Sequence, residues 1–218
     1  MSTPLHIDFV SDVSCPWCAI GLWSLNTALA RLDGQVEVTL QFRPFELNPD
    51  MVQEGQEINE HLSQKYGASP DQLAQTREQI RQRGATLGFE FGVGKRDRIY
   101  NTFTAHRLLH WAELEGETGK QKMLKMALFT AYFTHGRNPG ARDVLLDCVQ
   151  QVGLDTVRAA EVLDSGAYAC EVREREAFYL QHGIHSVPAV ILNGQHLISG
   201  GQPPEVFEQA LRQLAGLE

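Results

Sequence analysis

No apolar run in this chain approaches the roughly 20 residues that a helix needs to cross a bilayer. No membrane span is therefore expected. Basic residues are in deficit, with 19 Lys and Arg against 27 Asp and Glu and a net charge of -8. That balance argues against a nucleic-acid surface, which needs clustered positive charge. The start also lacks the basic stretch, apolar run and small-residue cleavage site of a secretory leader. Met1-Ser2-Thr3-Pro4 runs straight into Leu5-His6-Ile7-Asp8-Phe9-Val10, which reads as a strand. The expected location is cytoplasmic, where structural disulfides are rare. Cysteines are few, four in 218 residues, and in that compartment they point to chemistry rather than framework. Repeats and low-complexity tracts are absent too.

What is present suits a globular protein. Hydrophobic residues make up 43% and charged residues 21%, enough to bury a sizeable core. The first segment reads strand, turn, helix. Ser14-Cys15-Pro16-Trp17-Cys18 opens a helix through Ala19, Leu22, Leu25, Leu29 and Leu32, which Gly34 stops. Val36 to Phe42 alternates strictly and predicts a second strand. From about Ile58 to about Tyr179 the patterns are helical, with no convincing strand. Ser69-Pro70 is a well-formed helix start, and Phe89-Glu90-Phe91 is too short to assign. Strand character returns at Ala189–Leu192 and His196–Ser199, joined by the hairpin signal Asn193-Gly194. A last helix is expected from about Pro204 to Leu214. The ends therefore predict an α/β sheet domain that pairs with itself across a helical insertion.

Cys15 and Cys18 lie three positions apart in the first turn of a helix, directly after a strand. Helix-start N–H groups lack internal partners, and the helix dipole adds positive potential. Both favour the thiolate of Cys15. Cys18, one turn deeper, is the natural resolving thiol. Pro16 is tolerated because no N–H is needed there, and Pro16 and Trp17 tune the pair. A zinc site would want a second ligand pair at comparable spacing, and Cys148 and Cys170 do not supply one. Two inert buried cysteines would be the plain alternative, which Trp17 and the strand-to-helix junction disfavour. No metal is expected.

Val187-Pro188 stands directly before a strand, where proline cannot donate to a ladder. With a Cys-x-x-Cys at a strand-to-helix junction, this placement resembles thioredoxin-like proteins, which set a cis proline facing the cysteines; the resemblance implies a cis Val187–Pro188 bond, with the backbone of Val187 free to pair with an extended substrate.

Several stretches together resemble the DsbA superfamily, and within it the FrnE-like cytoplasmic branch. They are Ser11-Asp12-Val13-Ser14-Cys15-Pro16-Trp17-Cys18-Ala19-Ile20-Gly21, Phe45-Glu46-Leu47-Asn48-Pro49-Asp50, Asn101-Thr102-Phe103-Thr104-Ala105-His106-Arg107, Val187-Pro188 and Gly200-Gly201-Gln202. The resemblance implies a thioredoxin fold interrupted by an all-helical insertion domain. The expected division is residues 1–54 and 176–218 for the thioredoxin-like part and 55–175 for the insertion. It implies dithiol–disulfide exchange with disulfide-containing proteins or small-molecule thiols and disulfides, by a monomer or homodimer. It also implies kinship with kappa-class glutathione transferases and 2-hydroxychromene-2-carboxylate isomerases, which bind glutathione and place Ser where this chain has Cys15. Retention of both cysteines favours redox exchange. No cofactor is expected beyond glutathione as a co-substrate. Some FrnE-like proteins carry a further cysteine pair near the C-terminus, and this chain has no cysteine after Cys170.

Other residues admit two readings. Thioredoxin-like proteins often bury an acid near the resolving cysteine; Asp8 on the strand fits that placement better than Asp12, which could instead cap the turn. His106 and His110, one helical turn apart, could line the cleft above Cys15 and meet substrate, or lie on plain surface. Cys148 reads as a small buried hydrophobe, and Cys170 as an exposed thiol. Trp111, Phe129, Tyr132 and Phe133 read as core, in a block that could also cover the active-site cleft. The substrate groove is expected between the insertion, Trp17 and the Val187-Pro188 loop. Besides disulfide exchange, two alternatives stand. One is a glutathione-dependent transferase or isomerase of small aromatic compounds, and the other is a redox-regulated holdase.

Overall fold

The computed structural model describes residues 4–217. Strand β1 (Leu5–Ser11) is flanked by β2 (Val38–Pro44), which it pairs in parallel, and by β5 (Ala189–Leu192), which it pairs antiparallel. Strand β6 (His196–Ser199) closes the sheet, giving the order β2-β1-β5-β6. The two ends of the chain thus share one sheet. The β5–β6 turn places both Asn193 (φ 51°) and Gly194 (φ 68°) in the left-handed region; the Gln195 N–H donates to the Leu192 carbonyl at 3.1 Å, and Leu192 pairs with His196 across this three-residue loop.

Alternation along β1 assigns its faces. Ile7 and Phe9 point to helix α1 (Pro16–Arg31), packing with Cys18, Leu22 and Leu25 and with Phe207 and Leu211 of α9 (Pro204–Ala215). Val10 points to the opposite face, where it meets Phe45, Ile184 and Tyr179 of α8 (Ala169–Gln181). Helix α8 runs unbroken through positions 175 and 176. β2 begins at Val38 and ends at Pro44, two residues later than the alternation alone predicts.

Between β2 and β5 lie α2 (Ile58–Tyr66), α3 (Pro70–Thr86), α4 (Phe103–Leu114), α5 (Lys120–Phe129), α6 (Arg142–Gln151) and α7 (Thr156–Asp164), followed by α8. A π-helical turn over Thr130–Thr134 extends α5. The Ser69 and Gln72 side chains form a reciprocal capping box at the start of α3. The insertion is not purely helical. β3 (Gln56–Glu57) and β4 (Arg98–Ile99) pair antiparallel, and two-residue strands are too short to leave alternation in a sequence. Helix α4 is buried continuously from Ala105 to Ala112. Its neighbours Leu128, Leu145, Val149 and Val162 complete a second core.

The insertion docks on the sheet's edge. Gln121 of α5 accepts from the Phe42 N–H at 3.0 Å and donates to the Phe42 carbonyl at 3.1 Å. One side chain thereby satisfies backbone groups that an edge strand would otherwise expose.

Candidate active site

Cys15 is the N-cap of α1 (φ -88°, ψ 113°), with Pro16 at the first helical position. Its carbonyl accepts from the N–H groups of Cys18 and Ala19 at 3.1 and 3.3 Å. No side chain caps this helix end, so the dipole there acts on the cysteine. Cys15 is 4% exposed and Cys18 0%. Burial drives the Cys18 thiol well above its ordinary value, and the Cys15 sulfur adds to the rise. Charge from Lys125 and the Asp12 backbone pull the other way. Cys18 therefore holds its proton while Cys15 fronts a groove.

The groove has a volume of about 660 Å³. Cys15, Trp17 and Val187 form one wall; Leu62, Tyr66 and Arg77 of α2 and α3 are among those opposite. The Cys15 thiol faces the Val187 carbonyl at 3.6 Å. The Val187–Pro188 peptide is cis, and Pro188 is buried while Val187 lines the groove. Two glycines permit these close approaches. A Cβ on Gly21 would lie 3.1 Å from Pro188 Cγ, and one on Gly201 would lie 2.9 Å from the Trp17 carbonyl oxygen. Asn48, in the Phe45–Asp50 stretch, holds α2 in place by accepting from Lys65 at 2.8 Å and pairing with His61 at 3.0 Å.

Asp12 is buried beside the cysteines. Its carboxylate accepts from the N–H and hydroxyl of Ser14 at 3.1 and 2.9 Å, the Leu47 N–H at 2.7 Å and the Thr102 hydroxyl at 2.8 Å. Burial alone would raise this carboxyl. The pull of His106 and the backbone donors of Leu47 and Ser14 outweigh it and hold the group at about 2. Asp12 thus joins the loop before α1, the segment after β2 and the start of α4.

Two expected placements differ. Asp8 is not brought to Cys18. It sits on the face of β1 opposite α1 and pairs with Arg43 at 2.6 Å, because strand alternation sends residues 8 and 9 to opposite sides. His106 does not line the groove. It is 2% exposed, inside the buried stretch of α4, with Nε2 3.6 Å from Asp12. His110 is likewise buried. Cys148 is buried, which pushes its thiol up to about 11, and Cys170 is exposed. No disulfide joins any of the four cysteines.

Sequence reasoning missed three site residues. Lys125 of α5 is fully buried without a hydrogen-bond partner at Nζ. Gln121, Leu124, Lys125, Leu128, Phe129 and Tyr132 are all buried on one helical stripe, so the 3.6-residue period did carry the signal. Glu46 lines the groove and is held at about 7, chiefly by burial and then by the neighbouring charge of Glu176. Its bond to Arg173 opposes the rise. Arg96 also lines the groove, stacked over Tyr132 and Phe133 with Nη1 buried and unpartnered.

Residues 6–212 match the family of DSBA-like thioredoxin domains. The chain belongs to that family. Its fold is therefore a thioredoxin fold carrying a largely helical insertion. The probable DsbA oxidoreductase SCO1869 from Streptomyces coelicolor is 33% identical, with a TM-score of 0.87 over 98% of this chain and 91% of that one. The uncharacterized protein YwbO of Bacillus subtilis (strain 168) is 26% identical over 208 residues, 95% of this chain and 96% of its own. The cytosolic disulfide reductase DsbM from Pseudomonas aeruginosa, solved with GSH, shares the fold. It is 20% identical with a TM-score of 0.64, over 95% of this chain and 98% of its own. Membership of this DsbA-like family supports an oxidoreductase in coarse terms. Among the described residues no helix is long and apolar enough to cross a membrane.

Proposed function

We propose that this protein is a thiol–disulfide oxidoreductase or disulfide isomerase in which Cys15 attacks and Cys18 resolves. The observation that carries the reading is the asymmetry of the pair. Cys15 opens on a groove at the start of a helix, whereas Cys18 lies fully buried behind it. The Cys15 thiolate attacks a substrate disulfide, forming a mixed disulfide and expelling one substrate thiolate. Cys18 then attacks Cys15, closing the Cys15–Cys18 disulfide and releasing the second thiolate. Reversed, the same steps oxidise a substrate dithiol. An extended substrate segment pairs with the backbone at Val187, beside the reacting sulfur.

The groove favours anionic disulfides. Lys65, Arg77 and Arg96 line it, against the single acid Glu46. Glutathione disulfide, with carboxylates at both ends of each tripeptide, fits this charge pattern. The cytosolic setting of DsbM and the FrnE-like sequence stretches support a cytoplasmic role. Insulin reduction by dithiothreitol tests the reading. Wild type should accelerate it, and Cys15→Ser should fall back to the uncatalysed rate, because the covalent nucleophile is gone. Equal rates would overturn the assignment. The apolar Trp17 and Tyr66 at the groove also suit a glutathione-dependent reaction of a small aromatic compound. A glutathione-linked product that survives Cys18→Ser would favour that second reading.

A further inference from the structure

A second cavity adjoins the groove. It has a volume of about 340 Å³ and shares Pro16, Arg77, Ile80 and Arg96 with the groove as a common wall. Pro16 directly follows the attacking cysteine, so the two chambers adjoin at the residue next to the nucleophile. Beyond that wall the lining turns apolar, with Ile58, Ala74, Phe91, Val93 and Phe133. The one cation on the far side, Arg81, is closed on Glu78 at 2.6 Å. The apolar side is firmly built. Gly84 lets the Phe91 ring lie against α3, where a Cβ would stand 2.6 Å from it. Phe91 meets Phe89 and Phe133 at centroid distances of 4.8 and 5.3 Å, and the Gly92 N–H donates to the Phe133 carbonyl at 3.0 Å. Val93 at the mouth is 82% exposed, an apolar side chain without protein cover. Water in such a chamber finds few polar partners, and an apolar group that displaces it gains affinity.

Resting on the disulfide-exchange reading, we infer that this second cavity is the subsite for the leaving half of the substrate, and that the preferred substrate is a mixed disulfide joining an anionic thiol to an apolar one. The anionic half lies in the groove, which carries Lys65, Arg77 and Arg96, and pairs with the backbone at Val187, 3.6 Å from the Cys15 sulfur. The apolar half passes Pro16 into the second cavity. Halves of unlike polarity bind in one direction, which fixes the sulfur that is attacked. The Cys15 thiolate attacks the sulfur of the anionic half, and a bond forms between them. The substrate disulfide breaks, and its electron pair leaves on the apolar thiolate, which takes a proton from water at the cavity mouth. Cys18 then attacks Cys15, and the anionic thiol departs with the Cys18 proton. The two cysteines are oxidised to a disulfide, and the substrate is reduced to two thiols.

The test uses reduced protein in a Cys170→Ser background, which removes the exposed thiol, with the glutathionyl ethyl, butyl and hexyl disulfides. These share a leaving-group chemistry and differ in apolar length. The second-order rate of Cys15–Cys18 disulfide formation is read by acid quench, alkylation and intact mass. It should rise at least about tenfold from ethyl to hexyl, a fraction of what full burial of the added methylenes gives. Ala74→Trp fills the cavity, and Val93→Asp places a charge at its mouth. Both positions are exposed and outside the groove, so neither change burdens the core. Each should cut the hexyl-to-ethyl ratio at least about fivefold. A ratio near one in the parent protein, or the parent ratio retained in both variants, would overturn the inference while leaving disulfide exchange intact. With Cys18→Ser added, the hexyl substrate should leave glutathione on Cys15 and release hexanethiol; hexanethiol retained on Cys15 would overturn the inference too. A parent protein that forms no Cys15–Cys18 disulfide with any of these substrates or with glutathione disulfide would overturn the exchange reading itself.

Discussion

The Cys15 sulfur lies 3.6 Å from the Val187 carbonyl oxygen, although 172 residues separate the two in sequence. The helix start and the loop before β5 are brought together because β1 and β5 pair antiparallel, with Val10 opposite Ala189. The attacking sulfur and the backbone that would hold substrate are thus fixed by one strand pairing. Neither the insertion nor the outer strands need move for them to meet.

Gly201 sets the position of Trp17 beside this contact. A Cβ there would stand 2.9 Å from the Trp17 carbonyl and 3.3 Å from its ring. Gly201→Ala should cost about 1–3 kcal/mol, the usual penalty for overpacking, and lower kcat/KM for disulfide substrates. Urea denaturation and insulin reduction measure the two effects. Wild-type values in both would show that the loop yields freely.

Asp12 should make the fold acid-sensitive. Its carboxyl sits at about 2 in the folded protein against an ordinary 3.8. A lowered carboxylate stabilises the fold above its unfolded value, and that contribution is lost as pH falls through the folded one. The difference corresponds to about 2 kcal/mol, present above pH 4 and gone below pH 2. Asp12→Asn should be less stable than wild type at pH 7, and the gap should shrink toward pH 2. Denaturant titrations at several pH values check this. A gap independent of pH would contradict it.

Lys125→Met should stabilise the protein at pH 7. The folded-state value of about 8 against an ordinary 10.5 corresponds to about 3 kcal/mol of burial penalty on the ammonium. For a lowered lysine the unfolded chain binds more protons between these values, so stability rises with pH there. The penalty is full below pH 8 and relieved by about pH 10.5. The methionine variant should therefore gain most at neutral pH and nothing at alkaline pH. Chemical denaturation at pH 7 and pH 10 measures both ends. Loss of stability at pH 7 would show that the ammonium is compensated in the fold.

Arg96→Ala tests the charge of the groove. Its guanidinium is held by stacking on Tyr132 and Phe133 and lines the groove. Losing one charge-assisted bond to a carboxylate costs about 1.5–3 kcal/mol. KM for glutathione disulfide should rise about tenfold or more, with kcat nearly unchanged. KM for the uncharged hydroxyethyl disulfide should stay as in wild type. Equal effects on both substrates would point to distortion of the groove instead.

Much of this site is legible in the sequence because it is built from local patterns. The strand-to-helix junction at Cys15, the hairpin at Asn193-Gly194 and the proline before β5 each follow from a few adjacent residues. What the sequence hides depends on which neighbour a side chain meets. From its place on the strand Asp8 looks better able than Asp12 to sit near Cys18, and only the face assignment of β1 reverses that preference. Ile7 and Phe9 already point to the α1 side, so alternation places Asp8 away from it. His106 lies in a helix buried all round, which gives no amphipathic stripe to orient it. Lys125 sits among Lys120 and Lys122 and reads as one more surface lysine, although it falls on the buried stripe of α5.

The most direct test of the cysteine assignment is mixed-disulfide trapping. The Cys18→Ser and Cys15→Ser variants, both in a Cys170→Ser background, are exposed to glutathione disulfide and analysed by intact mass and peptide mapping. Cys18→Ser should accumulate one glutathione on Cys15, because no resolving thiol remains to release it. Cys15→Ser should accumulate none on Cys18, which is fully buried. Equal labelling of the two variants, or labelling of Cys18 alone, would contradict the roles assigned to the pair.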